Sequence, residues 1–406
     1  MSLFSSLPIS TKTLESLSFH NYTVMTTTQS KVLPSLLNKE SLIINTSTGS
    51  GKTLCFVISS IEYIYKSSIS DKNGTVVVIT PTRELAYQIF DVYGKILKYH
   101  NLSVSVITGG SDKKLEEKNL KKGCNILVCT PGRLLDHLNN YDKTDNEVKN
   151  KCINPKVVII DEVDKMFEIG FKREITSILS YFKQEQIILC SATLNEYVID
   201  FGKKISNDKM LLQKESDKND GLKIIECLDK PNITSYFSIL PEERKIDFLF
   251  SILKKKTIVF FSSCNEVNFY YEIFKFMNFN VYMLHGKLKQ NKRTNVYNKF
   301  NKKSDKSENQ ILFCTDVGAR GLDFEGVERI IHYGLPVDEN EYKHRIGRTG
   351  RNGKEGKSIM ILTNSEKEYA NNINKYVDSC SELKITKIKN FGPKLIKLVK
   401  NSFTLN

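Results

Sequence analysis

Short, almost wholly apolar segments recur along the 406-residue chain and alternate with longer stretches. Because a strand that is buried on both faces needs apolar side chains at nearly every position, such segments are typical of parallel strands. The stretches between them are long enough for the crossover helices that parallel strands require. The pattern therefore predicts an α/β fold with doubly wound parallel sheets. The predicted strands are 42–44, 75–80, 104–108, 126–129, 157–160 and 187–190, followed by 257–261, 281–284, 311–314, 329–333 and 358–362.

The strands form two groups with a polar segment between them. Residues 214–221 are rich in Lys, Asp, Glu and Asn and end in glycine, which indicates a flexible linker. Because Phe4 already belongs to the core pattern of the first group, we expect no accessory domain before it. The predicted division is a first domain at 1–213, a linker at 214–235, a second domain at 236–385 and a basic tail at 386–406.

Charge and cysteine content narrow the class of protein. Lys and Arg total 60 against 46 for Asp and Glu, giving a net charge of +14, which favours a polyanionic partner such as nucleic acid or an anionic membrane surface. A Lys-rich composition without such a partner is the alternative. The nine cysteines contain no CxxC pair, so neither a disulfide scaffold nor a structural zinc site is expected. No apolar stretch approaches the ~20 residues that span a bilayer. We expect a soluble intracellular protein.

A glycine-rich loop joins the first predicted strand to a helix. In this setting backbone N–H groups and the helix N-terminus can surround phosphates. Lys52 would reach the β- and γ-phosphates, and the Thr53 hydroxyl would bind Mg²⁺. A tight turn with the same letters is the alternative, and Thr46 stands where the general pattern has its first glycine. The predicted ATP-binding loop comprises Thr46, Ser47, Thr48, Gly49, Ser50, Gly51, Lys52 and Thr53.

Acidic residues follow another predicted strand directly. Strand 157–160 ends at Asp161 and Glu162, and ligands of open α/β sheets bind at the carboxyl ends of strands. Asp161 would hold Mg²⁺, and Glu162 would polarise the attacking water as a general base. A helix-capping acid cluster is the alternative, but it leaves the glycine loop unexplained. The two motifs together predict ATP hydrolysis.

These residues, with others in the same order, resemble the DEAD-box RNA helicases of helicase superfamily 2. The resemblance covers nearly the whole chain, to about Leu362, and implies two tandem RecA-like domains. This chain departs at Met25, Thr46 and Val163, where the family has Pro, Ala and Ala, which affects only local geometry. The matching motifs are Tyr22 with Thr26 and Gln29, 46–53, 81–85, 109–110, 130–133, 161–164, 191–193, 285–286 with Gln290 and Arg293, 315–323 and 344–351.

The resemblance implies a division of the ATP chemistry between the domains. Tyr22 would stack on adenine, the Gln29 amide would bond the edge of the base, and Asp323 would reach the ribose. Arg348 and Arg351 look like paired arginine fingers. Such guanidinium groups neutralise charge on the transferring phosphoryl group and raise the rate of hydrolysis on the order of 10³-fold. Together with Lys52 and Glu162 they form the expected catalytic set, and hydrolysis would require the two domains to close.

The family also implies an RNA surface and a coupling set. RNA would be held mainly through phosphates and 2′-hydroxyls, so binding should tolerate any sequence, weaken with salt and favour RNA over DNA. The coupling residues implied are Asp164, Ser191, Thr193 and His344. The RNA-binding residues implied are Pro81, Thr82, Arg83, Gly109, Gly110, Thr130, Gly132, Arg133, Gln290, Arg293 and Thr315.

Three functions are compatible with this pattern to different degrees. An RNA-dependent ATPase that opens short duplexes is expected, and an ATP-locked RNA clamp that seldom turns over would carry the same motifs. An ATP-driven DNA translocase is disfavoured by Tyr22, Gln29 and the acid at 164. Segments 259–271 and 284–293 resemble the nucleolar members that act in ribosome assembly. We therefore expect a monomer with ATP and Mg²⁺ as cofactors, RNA and ribosome-assembly or other proteins as partners, and a nuclear or cytoplasmic location.

Overall fold

The computed structural model describes residues 2–47, 49–67, 73–141, 155–210, 222–227, 232–302, 309–319, 322–350, 354–369, 380–383 and 392. The chain divides into two compact units, Met1–Asp229 and Lys230–Asn406. Apart from residue 392, the predicted basic tail lies outside the described residues.

The first unit is a seven-stranded parallel sheet with helices on both faces. Its strands, numbered β1 to β7 along the chain, lie side by side in the order β3-β4-β2-β5-β6-β1-β7. Side chains alternate between the two faces, so that Leu42 and Ile44 join one apolar cluster and Ile43 joins the other. The elements are α1 (Thr11–Phe19), α2 (Thr27–Leu37), β1 (Leu42–Thr46), α3 (Lys52–Lys66), β2 (Asn73–Ile79), α4 (Arg83–Ile96), β3 (Val104–Ile107), α5 (Lys113–Lys122), β4 (Cys124–Cys129), α6 (Pro131–Tyr141), β5 (Val157–Ile160), α7 (Val163–Ile169), α8 (Lys172–Ser180), β6 (Gln186–Ser191), α9 (Glu196–Met210) and β7 (Lys223–Cys227).

The second unit repeats this architecture. Its seven strands are also parallel, in the order β10-β11-β9-β12-β13-β8-β14. Val259 and Ile258 again face opposite clusters, one closed by the helix Cys264–Phe276 and the other by the helix Gln290–Asn301. The elements are β8 (Ile233–Ile239), α10 (Glu242–Ile252), β9 (Lys256–Phe260), α11 (Cys264–Phe276), β10 (Val281–Leu284), α12 (Gln290–Asn301), β11 (Gln310–Cys314), α13 (Asp316–Ala319), β12 (Arg329–His332), α14 (Glu339–Ile346), β13 (Gly356–Leu362) and β14 (Cys380–Glu382).

The prediction of two doubly wound parallel-sheet domains is confirmed, and each predicted strand falls on an observed one. The sequence pattern missed β7, β8 and β14. Strand β7 is an edge strand whose side chains are mostly exposed, so it carries Lys and Glu instead of a continuous apolar run. The segment expected to be linker, 214–235, contains β7 and the start of β8.

The cysteines that the structure describes at positions 55, 124, 129, 190, 227, 264 and 314 are free thiols. Among the described helices, none combines the length and the apolar character needed to cross a membrane.

Gly318 in α13 provides a test of the packing of the second unit. A Cβ atom at this position would lie 2.4 Å from the carbonyl oxygen of Leu284, which is backbone and cannot rotate away. We expect Gly318→Ala to lower the free energy of unfolding of this unit by about 1–3 kcal/mol, measured by calorimetry.

Gly94 is the matched control, because a Cβ there meets nothing within 4 Å and the residue lies in helix α4. Gly94→Ala should stabilise the first unit by up to about 1 kcal/mol through helix propensity. Equal effects of the two substitutions would contradict the packing argument.

Candidate functional site

The glycine loop lies between the carboxyl end of β1 and the N-terminus of α3. Gly49 and Gly51 have φ of 82° and 88°, a left-handed conformation that residues with a Cβ rarely adopt. The hydroxyls of Thr46 and Ser50 lie 2.7 Å apart and close the loop. Thr53 is half-buried in the first turn of α3, whereas Thr48 lies outside the described residues. The loop therefore has the backbone geometry of an anion-binding turn.

The structure brings Lys52 and Asp161 together at the carboxyl edge of the sheet. The Lys52 ammonium lies 3.1 Å from a carboxylate oxygen of Asp161, and both side chains are almost fully buried. Burial alone would lower the pKa of Lys52, but the charges of Asp161 and Glu162 outweigh it and hold that pKa above its ordinary value. Lys52 is therefore cationic at any physiological pH.

Glu162 follows Asp161 in an unusual backbone conformation. Its φ and ψ are 57° and 51°, left-handed for a residue with a side chain, and its N–H donates to the Asp161 carboxylate at 3.0 Å. Such a conformation costs on the order of 1–3 kcal/mol and persists where the surroundings impose it. The Lys165 ammonium, wholly buried, lies 3.5 Å from a carboxylate oxygen of Glu162. The sequence pattern did not single out Lys165, because a charged residue within a helix usually faces solvent.

Gln29 connects the start of α2 to the glycine loop. Its amide oxygen accepts from the Thr26 N–H at 2.8 Å, and its amide nitrogen donates to the Gly51 carbonyl at 3.2 Å. The Thr26 hydroxyl donates to the Ser50 carbonyl at 2.8 Å. Thus Gln29 and Thr26 hold the loop in place besides any contact with a base. Tyr22, nearby in sequence, is 37% exposed.

Asp164 is joined to the loop after β6. One of its carboxylate oxygens accepts from the Ala192 N–H at 3.2 Å, and from the Thr193 N–H and hydroxyl at 2.9 Å each. The Ser191 hydroxyl donates to the Thr193 carbonyl at 2.7 Å. The predicted coupling residues of the first unit therefore form one hydrogen-bonded group.

The residues predicted to bind RNA in the first unit lie beyond the ends of neighbouring strands. Thr82 caps α4 by accepting from the Leu85 N–H at 3.3 Å. The guanidinium of Arg83 packs against Gly110, where a Cβ would lie 2.4 Å from Nη1 and where φ is 86°. Only glycine permits that approach. Pro81 and Thr130 are buried, and Gly132 is exposed.

Arg133 is held by the protein itself. Its Nη2 donates to the Ser111 carbonyl at 2.8 Å, and its Nε lies 3.2 Å from the Thr108 carbonyl and 3.2 Å from a carboxylate oxygen of Glu116. The side chain is 11% exposed. The structure thus places this predicted RNA-binding residue in a network that fixes the loop after β3.

The second unit groups its predicted site residues near the ends of β10 and β11. Gln290 and Arg293 lie in the first turn of α12, and Arg293 donates to the Gly318 carbonyl at 3.4 Å. The Thr315 hydroxyl accepts from the Gly318 N–H at 3.3 Å. These contacts bring Arg293 and Thr315 to one place in the unit.

The nucleotide residues predicted in the second unit differ in exposure. Arg348 is buried and donates to the Leu322 carbonyl, whereas the Asp323 side chain is exposed. His344, in α14, is buried. Arg351 lies outside the described residues.

A buried network around Arg345 was not predicted. Arg345 makes two hydrogen bonds of 2.7 Å to the Asp316 carboxylate and lies 2.9 Å from a carboxylate oxygen of Glu341. It also donates to the Gly334 carbonyl at 2.6 Å and lies 5.0 Å from the centre of the Phe260 ring. Burial and the neighbouring Asp316 raise the pKa of Glu341 to about 7. The network anchors the helix that carries His344.

Residues 26–201 match the family model described as DEAD/DEAH box helicase, and residues 244–353 match the helicase conserved C-terminal domain. The chain is 39% identical over 411 residues to the probable ATP-dependent RNA helicase ddx18 of Dictyostelium discoideum, covering 99% of this chain and 66% of that protein. It is 38% identical over 423 residues to ATP-dependent RNA helicase HAS1 of Candida albicans, covering 100% of this chain and 70% of that one.

Solved structures with the same fold include Mss116p bound to ssRNA and AMP-PNP, with a TM-score of 0.77 at 25% identity, over 99% of this chain and 85% of that one. A second is S. cerevisiae Dbp5 L327V bound to RNA and ADP BeF3, with a TM-score of 0.78 at 23% identity, over 98% of this chain and 100% of that one. Because its identity to this chain is only 23%, the Dbp5 structure supports the assignment of the fold and nothing further.

Gln29 gives a test of the nucleotide loop. Gln29→Ala removes the hydrogen bonds to Thr26 and Gly51, and we expect ATP affinity to fall about tenfold, measured by titration with a fluorescent ATP analogue. Ser30→Ala is the control, because its hydroxyl donates to the Thr27 carbonyl of its own helix at 2.9 Å. Equal affinities in the two variants would contradict the anchoring role.

Glu341 gives a test of the Arg345 network. Its pKa in the folded protein, about 7, exceeds the ordinary 4.5, so the folded state binds this proton more tightly than the unfolded state. The stabilisation that Glu341 contributes is therefore complete below pH 4.5 and is lost as the pH rises through 7. Glu341→Gln should gain stability relative to wild type across that range in denaturant unfolding. If the free energies of unfolding of wild type and Glu341→Gln changed with pH in parallel, this prediction would be wrong.

Proposed function

The chain belongs to the DEAD-box family of helicases, and on that basis we propose that it is an ATP-dependent RNA helicase. The observation that carries this proposal is the arrangement at the carboxyl edge of the first sheet. There the Lys52 ammonium lies against the Asp161 carboxylate, and Glu162 is the residue directly after Asp161. Gln29 is hydrogen-bonded to the glycine loop that precedes Lys52. The family motifs occur in both units. This distribution disfavours a protein that only binds nucleotides.

We propose that the glycine loop binds the ATP phosphates. Its backbone N–H groups and the N-terminus of α3 would face the anion, and the Lys52 ammonium would move from Asp161 toward the phosphates. Tyr22 and Gln29 would select adenine, and Asp323 would contact the ribose. Ser47, Ser50 and Gly49 belong to the same loop.

A magnesium ion fits the residues present at this edge. Hard divalent cations prefer carboxylate and hydroxyl oxygens, and Asp161 and Thr53 would supply them. When bound, Mg²⁺ neutralises charge on the phosphates. Asp161, which is buried, would exchange its contact with Lys52 for this role.

Hydrolysis requires a base and positive charge on the transferring phosphoryl group. Glu162 would accept a proton from the attacking water. Its left-handed backbone conformation fixes the direction in which its side chain leaves the backbone. Arg348 and Arg351 of the second unit would neutralise the developing charge. Since they belong to a different unit from Glu162, we propose that hydrolysis depends on closure of the two units around ATP, transmitted through Asp164, Thr193 and His344.

RNA would be bound by backbone contacts on both units. Arg83, Gly109 and Gly110 of the first unit would approach phosphates, and Gln290, Arg293 and Thr315 would do so in the second. Such contacts carry no sequence readout, so selection of targets would come from other surfaces or partners. An ATP-locked clamp on RNA remains the second candidate, since it would use the same residues with slow turnover.

We further propose a role in ribosome assembly in the nucleus or nucleolus. Segments 259–271 and 284–293 resemble the family members that act there, and the similar proteins include several named HAS1. Depletion of the protein should then impair processing of pre-ribosomal RNA. Unchanged processing would remove this part of the proposal.

Phosphate release from ATP tests the proposed function. We expect single-stranded RNA to stimulate hydrolysis and single-stranded DNA to have no comparable effect. Glu162→Gln, which removes the base but keeps the side-chain shape, should lower kcat about 10²-fold or more and leave ATP affinity intact.

Two other outcomes would change the proposal. Tight ATP-dependent RNA binding with almost no turnover would favour the clamp. Equal stimulation by DNA would contradict the assignment of RNA as substrate.

A further inference from the structure

Glu116 in α5 is a buried carboxylate on which four donors converge. One of its oxygens accepts from the Thr108 N–H at 3.1 Å and from the Ser111 hydroxyl. The other lies 3.2 Å from Nε of Arg133 and 3.0 Å from Nε2 of His137. The residue is 6% exposed, so these bonds replace the water that the carboxylate has lost. Because an ionised carboxylate can only accept hydrogen bonds, His137 is the donor, and its Nε2 atom carries a proton.

The four donors come from two separate segments. Thr108 and Ser111 bracket Gly109 and Gly110 in the loop after β3, which we call the β3 loop (residues 108–111). Arg133 and His137 lie one turn apart on α6, so they face the same side of that helix. Glu116 therefore fastens the β3 loop to the first turns of α6.

Arg133 adds a second connection between the same two segments. Its guanidinium donates to the carbonyls at both ends of the β3 loop, Thr108 at 3.2 Å and Ser111 at 2.8 Å. Its charge is paired with Glu116, and the same carboxylate oxygen lies 3.0 Å from Nε2 of His137. Without Glu116, a nearly buried guanidinium would lose its principal counter-charge.

The geometry at Gly110 shows why this fastening matters for binding. Gly110 has φ of 86°, and Arg83 packs directly against it. The backbone N–H groups of a glycine loop can approach a phosphate closely only while the loop keeps one conformation. The ends of the loop are held by Glu116 and Arg133, and its middle presents Gly109, Gly110 and the adjoining Arg83.

We propose that Glu116, with His137, is a positioning residue for RNA binding: it fixes the β3 loop and Arg133 so that Gly109, Gly110 and Arg83 present an assembled phosphate-binding surface. Neither residue belongs to the motifs through which the chain resembles its family. The proposal rests on the proposed function and specifies how one part of the RNA surface is organised.

Direct RNA binding in the presence of a non-hydrolysable ATP analogue tests the proposal. Glu116→Gln keeps the shape but removes the charge and places amide N–H groups against Arg133 and His137. We expect the Kd for fluorescein-labelled single-stranded RNA, measured by anisotropy with the full chain, to rise about tenfold. The slope of log affinity against log salt should become shallower by about 0.7, the contribution of one phosphate contact on a single strand. ATP affinity and kcat at saturating RNA should stay at wild-type values.

Glu62 supplies a matched control in the same unit. It is 1% exposed and accepts from the Ser10 N–H at 3.0 Å and from the hydroxyls of Ser10 and Thr13 at 2.6 Å each. Glu62→Gln removes a comparable buried charge at a site whose hydrogen-bond partners, Ser10 and Thr13, lie at the start of α1. We expect it to lower the melting temperature while leaving the Kd for RNA and its salt slope unchanged.

The outcomes separate this proposal from the proposed function. If Glu116→Gln proves too unstable to purify, His137→Gln removes one partner only and should raise the Kd in the same direction by a smaller factor. An RNA affinity within twofold of wild type, together with an unchanged salt slope, in these variants would overturn the positioning role alone. Equal loss of RNA affinity in Glu62→Gln would also overturn it, because the effect would then follow general destabilisation. A wild-type protein that binds no RNA would overturn the proposed function as well.

Discussion

The buried ion pair between Lys52 and Asp161 is the contact on which the candidate ATP site depends. The two residues follow β1 and β5, which are separated in the sheet by β6, and Asp164 is bonded to residues that follow β6. Three neighbouring strand ends are thereby connected through charge and hydrogen bonds. A buried charge without such partners would cost several kcal/mol, so the ammonium can occupy this place only because the carboxylate does.

The second unit uses a related arrangement with a different cation. Arg345 joins Asp316 after β11 to the carbonyl of Gly334 after β12, and Glu341 lies on the same helix as Arg345. The planar guanidinium suits this task, because its several donors reach two carboxylates and a carbonyl at once. In each unit a buried cation therefore connects the carboxyl ends of two strands that are separated by one strand in the sheet. The residues proposed to act on ATP or RNA are placed at these strand ends.

The sequence predicted the strands and the family motifs well for a definite reason. A strand buried on both faces must be apolar throughout, as 157–160 is, and a loop that binds phosphate must contain glycine, as 49–51 does. Both requirements act between residues close in the chain. Strand β7 escaped prediction because an exposed edge strand has no such requirement. Lys165 and Glu116 escaped, and Arg345 was matched only as part of the motif 344–351 and was given no role, because a charged residue within a helix usually faces solvent.

The buried strands with continuous apolar runs, the glycine loop, the acidic pair at 161–162 and the membership of a helicase family were thus determined by the sequence alone, since each is written in short segments. Only the tertiary structure decided which charges meet. Glu116 is far from Arg133 in the chain, and Arg345 is far from Asp316, yet each pair is in contact. Partners of a buried charge are set by which strand ends the fold places side by side, and a local pattern of residues contains no record of that placement.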